Sequence, residues 1–163
     1  MLHATHDSPL GPMRLLGTQA AVRAVLFVGQ KHELQPEGAP GESPALALMR
    51  RELDLYFAGR LQRFTAPLAP EGTPFQRAVW RALLDIPFGA ATTYGALAAK
   101  LGKPAAARAV GAAVGRNPVG IAIPCHRVVG QGGQLTGYAA GLERKQALLA
   151  LEGGSAAGLF AVA

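Results

Sequence analysis

Thr92–Gly130 reads TTYGALAAKLGKPAAARAVGAAVGRNPVGIAIPCHRVVG. Its first part divides into a helix over Tyr94 to Leu101, a turn at Gly102 to Pro104, and a second helix from about Ala105 to Gly115. That is helix-turn-helix grammar, and equally the grammar of an ordinary pair of packed helices. A helix that reads sequence presents Arg, Asn, Gln or Lys from its first turns to base edges in the major groove. Here those turns offer Ala105, Ala106 and Ala107. Alanine has nothing with which to hydrogen-bond a base, yet it lets a backbone come close, which suits docking by shape without sequence preference. Arg108 is the one large side chain in the middle. It can fill a space in a base stack, pair with a phosphate, or form a surface salt bridge.

Asn117 and Pro118 end the second helix. Val119 to Ile123 is a short apolar run expected to be buried as a strand or extended segment, and Pro124 stops it and places Cys125 at an edge. Cys125 is the chain's single cysteine. One thiol makes no internal disulfide and no multi-thiolate metal site, so it is either a small buried hydrophobe or a reagent. A thiol is nucleophilic only as thiolate, and His126 and Arg127, or a helix amino terminus just beyond, favour that anion. Neighbours in an extended chain point to opposite faces, so His126 needs a turn or a bridging water to reach the sulfur. A third group should orient the imidazole. Glu143 and Glu152 are the candidates, on LERKQALLALE, which has helical spacing at Leu142, Leu148, Leu149 and Leu151. A Cys-His-Glu set suits a cysteine hydrolase as well as an alkyl acceptor. Water cleaves the hydrolase's thioester, whereas attack on an sp3 carbon yields a thioether that water leaves intact, so that chemistry consumes the protein. A basic helix-turn-helix fits an alkylated nucleic acid better than a peptide.

The surrounding chain supports a two-part protein. It has 163 residues, half of them hydrophobic, with sixteen Lys and Arg against ten acids and a net charge of +6. Such an excess suits a phosphate backbone or another anionic surface. No run approaches a membrane span, and MLHATHDSPLG lacks the layout of a secretory signal, so no membrane partner and a cytoplasmic location are expected. GPMRLLGTQAAVRAVLFVGQ reads as a hairpin turning around Gly17 to Ala21, and PALALMRRELDLYFAG as an amphipathic helix with Leu46, Met49, Leu53 and Phe57 on one face. His3, His6 and His32 lack acids or thiols at ligand spacing and read as solvated rather than metal-binding. GRLQRFTAPLAPEGT, from Gly59 to Thr73, reads as a linker. Thr73 then caps a helix with Pro74 at its first position, and Trp80 belongs to its core face. The expected fold is α/β: a small N-terminal antiparallel sheet plus helix over 1–68, then a mostly helical domain with the helix-turn-helix over 73–153. GGSAAGLFAVA is composition-poor, and 154–163 reads as a tail.

IPCHRVVG, with RAVGAAVGRNP before it and GYAAGLERKQALL after it, resembles the O6-alkylguanine-DNA alkyltransferases. FQRAVWRALLDIPFG and TTYGALA match too, so the similarity covers nearly all of Thr73 to Glu152, and DSPLGPMRLL is a looser match to the family's start. The resemblance implies a ribonuclease H-like first domain and a monomer, nucleoid-associated when bound. It implies a single-turnover DNA repair protein that flips O6-alkylguanine, or less readily O4-alkylthymine, out of double-stranded DNA and accepts the alkyl group on Cys125, with no cofactor. By the same resemblance His126 is the water-mediated base, Glu152 orients it, Tyr94 protonates N3 of the departing guanine, and Arg108 takes the extruded base's place. Thr93, Ala106, Ala107 and Gly111 face DNA beside Arg108. Asn117 is the hinge to the active-site segment, the Val128 carbonyl accepts from the base amino group, and Tyr138, Ala139 and Ala140 wall the pocket. Arg127 is structural or salt-bridging. The chain departs from the family at Val114, where a small polar residue is frequent, at Gly120, which replaces a common proline, and at Ala140, which replaces a glycine and narrows the pocket. It lacks the cysteines of the N-terminal zinc site some members carry, so no metal is expected. It retains the acceptor cysteine that the alkyltransferase-like, lesion-binding branch has replaced.

Overall fold

Gly11–Gly17 (β2) and Val22–Phe27 (β3) pair antiparallel, forming the hairpin expected from their apolar runs. Two further strands escaped the sequence reading: Leu2–Ser8 (β1), antiparallel to β2, and Ala39–Pro40 (β4), parallel to β1. The sheet order is β3-β2-β1-β4, so it is mixed at one edge. Pro44–Phe57 (α1) follows, with the Ser43 hydroxyl accepting from the Leu46 N–H and Leu46, Met49, Leu53 and Tyr56 buried. His6, expected to be solvated, hydrogen-bonds Asp54 of α1 at 2.8 Å. Among the described residues no three His, Cys, Asp or Glu side chains come together as a metal would require.

In this computed structural model, which describes residues 1–153, the chain forms two compact units. Unit 1 comprises Met1–Glu71 and Pro118–Ala122, and unit 2 comprises Gly72–Asn117 and the described residues from Ile123. The stretch expected to be a linker is largely bound into unit 1. Glu52, buried on α1, accepts from the N–H groups of Thr65 and Ala66 at 2.7–3.0 Å, and Val22 exchanges backbone hydrogen bonds with Pro67 and Ala69. Pro118–Ala122 continues along β3: the Val25 N–H donates to the Pro118 carbonyl at 2.9 Å, and the Gly120 N–H to the Val25 carbonyl at 2.8 Å. Both segments cover the free edge of β3, whose backbone groups are otherwise open to pairing. At Gly120 the N–H is used in this bond, and a proline there could not donate it. The expected strand over Val119 to Ile123 is only a single bridge at Val119. Ile121 then turns the chain at φ 68°, a left-handed conformation uncommon for a β-branched residue.

In unit 2, Pro74–Leu83 (α2) begins with a capping box. Thr73 Oγ1 accepts from the Gln76 N–H at 3.1 Å, and Gln76 Oε1 from the Thr73 N–H at 3.0 Å. Trp80 is core, as expected, and its Nε1–H donates to the Ala113 carbonyl at 2.8 Å, tying α2 to the second helix of the helix-turn-helix. Tyr94–Lys100 (α3) and Ala107–Gly115 (α4) are that pair, joined through Gly102 at φ 74°. The second helix, expected from about Ala105, begins at Ala107; Pro104–Ala106 is a tighter 3₁₀ turn, with the Ala106 N–H donating to the Lys103 carbonyl. Thr92–Thr93 (β5) pairs in parallel with Val128–Val129 (β6), and Leu142–Glu152 (α5) closes the unit. Leu142 and Leu151, expected on its buried face, are exposed; that face is Lys145, Leu148, Leu149 and Glu152, at i, i+3, i+4 and i+7. No described helix is long and apolar enough to cross a membrane. The expected tail, 154–163, lies outside the described residues.

Candidate active site

Two backbone devices in unit 2 set the thiol in place. Pro124 directs the chain into a 3₁₀ turn at Cys125–Arg127, with the Arg127 N–H donating to the Pro124 carbonyl, so the residues after the proline are coiled rather than extended. β6 then pairs with β5, and Thr93 at the end of β5 caps α3 by accepting from the Ala96 N–H at 3.0 Å. Tyr94, the first residue of α3, is thereby brought near enough for its hydroxyl to respond to charge on Cys125, which adds to burial in pushing its pKa up. Asn117 closes the segment before the thiol, its Nδ2 donating to the Ile123 carbonyl at 2.8 Å.

The two residues after the thiol enter a buried hydrogen-bond network. His126 Nε2 lies 2.7 Å from Glu152 Oε2, while Arg127 donates from Nε to Oε1 at 2.8 Å, from Nη2 to Oε2 at 3.0 Å, and from Nη1 to the Ile86 carbonyl at 2.7 Å. Burial opposes charge on Glu152, but the hydrogen bonds from His126 and Arg127 outweigh it and hold the carboxyl at about 2. A carboxylate only accepts, so the proton of the His126–Glu152 bond sits on Nε2. Burial pushes the His126 pKa down, leaving the ring neutral with its lone pair on Nδ1. Nδ1 is buried and has no partner among the described residues. This is the geometry of an oriented base. Glu143, the other acid considered, is exposed on the first turn of α5.

Cys125 itself is only 8 % exposed. Burial pushes its thiol up, and hydrogen bonds from Asn117 and Tyr138 together with the charge of Lys145 pull it down without overcoming burial. Neighbouring positive charge does favour the anion, but through Lys145 rather than Arg127, and at rest burial outweighs it. The thiol keeps its proton until a base removes it. Val128 is fully buried beside this turn, and Tyr138, Ala139 and Ala140 are half-buried on the loop before α5, where the Tyr138 carbonyl accepts from the Gly141 N–H. Lys145 escaped the sequence reading altogether. Its Nζ donates to the carbonyls of Thr136 and Gly137 on that loop.

On the helix-turn-helix, Arg108 is exposed, and Ala105, Arg108, Ala109, Ala112 and Arg116 form an outward stripe at helical spacing. Ala106 and Ala107 are half-buried, and Gly111 lies against the Tyr94 ring, where an added Cβ would sit 3.5 Å from Cδ1. The open surface is thus smooth alanine with arginines at positions 108 and 116.

The family described as 6-O-methylguanine DNA methyltransferase, DNA binding domain, matches residues 74–154, and 6-O-methylguanine DNA methyltransferase, ribonuclease-like domain, matches residues 1–70. A methylated-DNA–protein-cysteine methyltransferase of Methanosarcina acetivorans is 46% identical over 154 residues, covering 94% of this chain and 99% of the relative. One of Mycobacterium leprae is 47% identical over 153 residues, covering 93% of each. The crystal structure of Mycobacterium tuberculosis OGT in complex with DNA superposes with a TM-score of 0.87 at 41% identity, covering 98% of this chain and 99% of that one.

Proposed function

Since the chain belongs to the 6-O-methylguanine DNA methyltransferase family, we propose that it repairs double-stranded DNA by moving the alkyl group of O6-alkylguanine, less readily of O4-alkylthymine, onto Cys125. The observation that carries this reading is His126, next in the chain to the only cysteine, held by a Glu152 that Arg127 in turn holds, with its Nδ1 unpaired among the described residues. A sulfur so little exposed cannot meet an alkyl carbon inside a stacked duplex, so the damaged base rotates out. Arg108 fills the space it leaves, with Thr93, Ala106, Ala107 and Gly111 against the backbone and groove. Asn117 ties the helix-turn-helix to the thiol segment, the Val128 carbonyl accepts from the exocyclic amine, and Tyr138, Ala139 and Ala140 enclose the ring.

The thiol proton passes through a water to His126 Nδ1, and Glu152 stabilises the imidazolium. The thiolate attacks the alkyl carbon; the S–C bond forms as the C–O6 bond breaks, and its electron pair enters the purine. Tyr94, whose raised pKa keeps it protonated, donates to N3 so that neutral guanine departs. The product is a thioether that no water cleaves, so each molecule acts once, as a monomer and without cofactor. Cytoplasmic residence with nucleoid association follows from such a substrate. The test is Cys125→Ala, which should bind a duplex carrying O6-methylguanine as tightly as the parent and remove no methyl. Loss of both binding and transfer makes Cys125 a structural residue and sinks the proposal.

A further inference from the structure

Among the described residues of unit 2, Lys145 is the buried charged group that the transfer scheme leaves without a task. It is 0 % exposed on the face of α5 that it shares with Leu148, Leu149 and Glu152. An ammonium is almost never buried unless its donors are satisfied. Here two are, by the Thr136 carbonyl at 2.7 Å and the Gly137 carbonyl at 3.2 Å. Both precede Tyr138, whose side chain hydrogen-bonds the sulfur of Cys125. The Tyr94 ring lies with its centroid 6.0 Å from the same Nζ. The titratable groups facing Lys145 are thus Cys125 and His126 from the 3₁₀ turn and Tyr94 from α3.

We propose that Lys145 is a positioning residue for transfer: its ammonium clasps the Thr136–Gly137 backbone, holding Tyr138 on the sulfur, and sets a fixed positive charge against the thiolate as it forms. The inference rests on the alkyl-transfer reading of Cys125. Two observations separate it from plain packing. An apolar side chain of the same length would fill the space, yet the chain retains a cation there despite its burial, which pushes its pKa down to about 8. Cys125 and Lys145 also stabilise each other's charge, the anion drawing the lysine up and the cation drawing the thiol down.

The experiment is single-turnover transfer from an O6-methylguanine duplex across pH 6.5–9.5, with lesion affinity measured in parallel, for the full chain and for Lys145→Met, Lys145→Gln and Lys145→Arg. Loss of the charge should slow transfer at saturation about tenfold at neutral pH, the equivalent of one pKa unit at the thiol. Affinity should stay within about twofold, the deficit should shrink as pH rises, and Lys145→Arg should recover most of the rate. A deficit that is constant with pH, or arises in affinity, or is shared by Lys145→Arg overturns the proposal. Should neither neutral variant fold, Lys145→Arg answers alone: transfer within about threefold of the parent rate keeps the charge in its role, and a loss of about tenfold overturns the proposal. If the parent removes no methyl from DNA, the alkyl-transfer reading fails by itself. The same pH ratio read with iodoacetamide, which needs no DNA, then decides the role of Lys145.

Discussion

In the proposed mechanism His126 accepts the thiol proton only while Glu152 remains a carboxylate. Glu152→Gln replaces an obligate acceptor by a group that also donates, so the tautomer with a free Nδ1 is no longer enforced. Transfer should slow by roughly 10²–10⁴, the usual worth of a positioned base. Single-turnover methyl removal by the folded variant measures it, and an unchanged rate refutes the relay. The same carboxylate carries a stability signature. Its folded pKa of about 2 lies below its ordinary 4.5, so its contribution is complete above about 4.5 and is lost as pH falls toward 2. That contribution is about 3 kcal/mol from the linkage relation. Acid unfolding of Glu152→Gln should be correspondingly flatter between those pH values, as read by circular dichroism. A lone cysteine invites a search for a base and its orienter, and the residues alone left Glu143 and Glu152 as equal candidates; the fold pairs Glu152 with His126. Lys145 was not legible. A lysine in an amphipathic helix reads as solvated, and only the carbonyls of a loop eight and nine residues upstream explain its burial.

The helices were legible because their start signals are local: Ser43 before Pro44, and Thr73 before Pro74 with Gln76 completing the box. Thr73→Ala removes one side of that box and should cost about 1 kcal/mol in thermal or denaturant unfolding while leaving transfer at the parent rate. Strand β1 was obscure because LHATHDS mixes polar residues onto both faces, and β4 is too short for any period to show. The supposed linker was misread for a different reason. Its order comes from Glu52 and from the edge of β3, both distant in sequence. The helix-turn-helix yields a functional prediction. Arg108→Ala should slow repair of duplex O6-methylguanine far more than reaction with free O6-benzylguanine, because only the duplex requires extrusion of a base; equal losses refute the stack-filling role.

The net charge of +6 concerns the molecule as a whole. If it serves the phosphate backbone, affinity for duplex should fall roughly tenfold or more between 50 and 200 mM salt, through release of counterions. A flat response in a salt titration contradicts that use of the charge. The excursion of Pro118–Ala122 into unit 1 was not legible, because it depends on backbone bonds to Val25 that leave no mark on the residues making them. The central claim is that the single cysteine is a reagent consumed in repair. Incubating the protein with excess duplex bearing one O6-methylguanine, then recording intact mass and mapping peptides, tests it most directly. The account predicts the gain of one CH₂, saturating at one per molecule and confined to the peptide containing Cys125. An unchanged mass at saturating, tightly bound lesion would contradict it and make the protein a binder of damage.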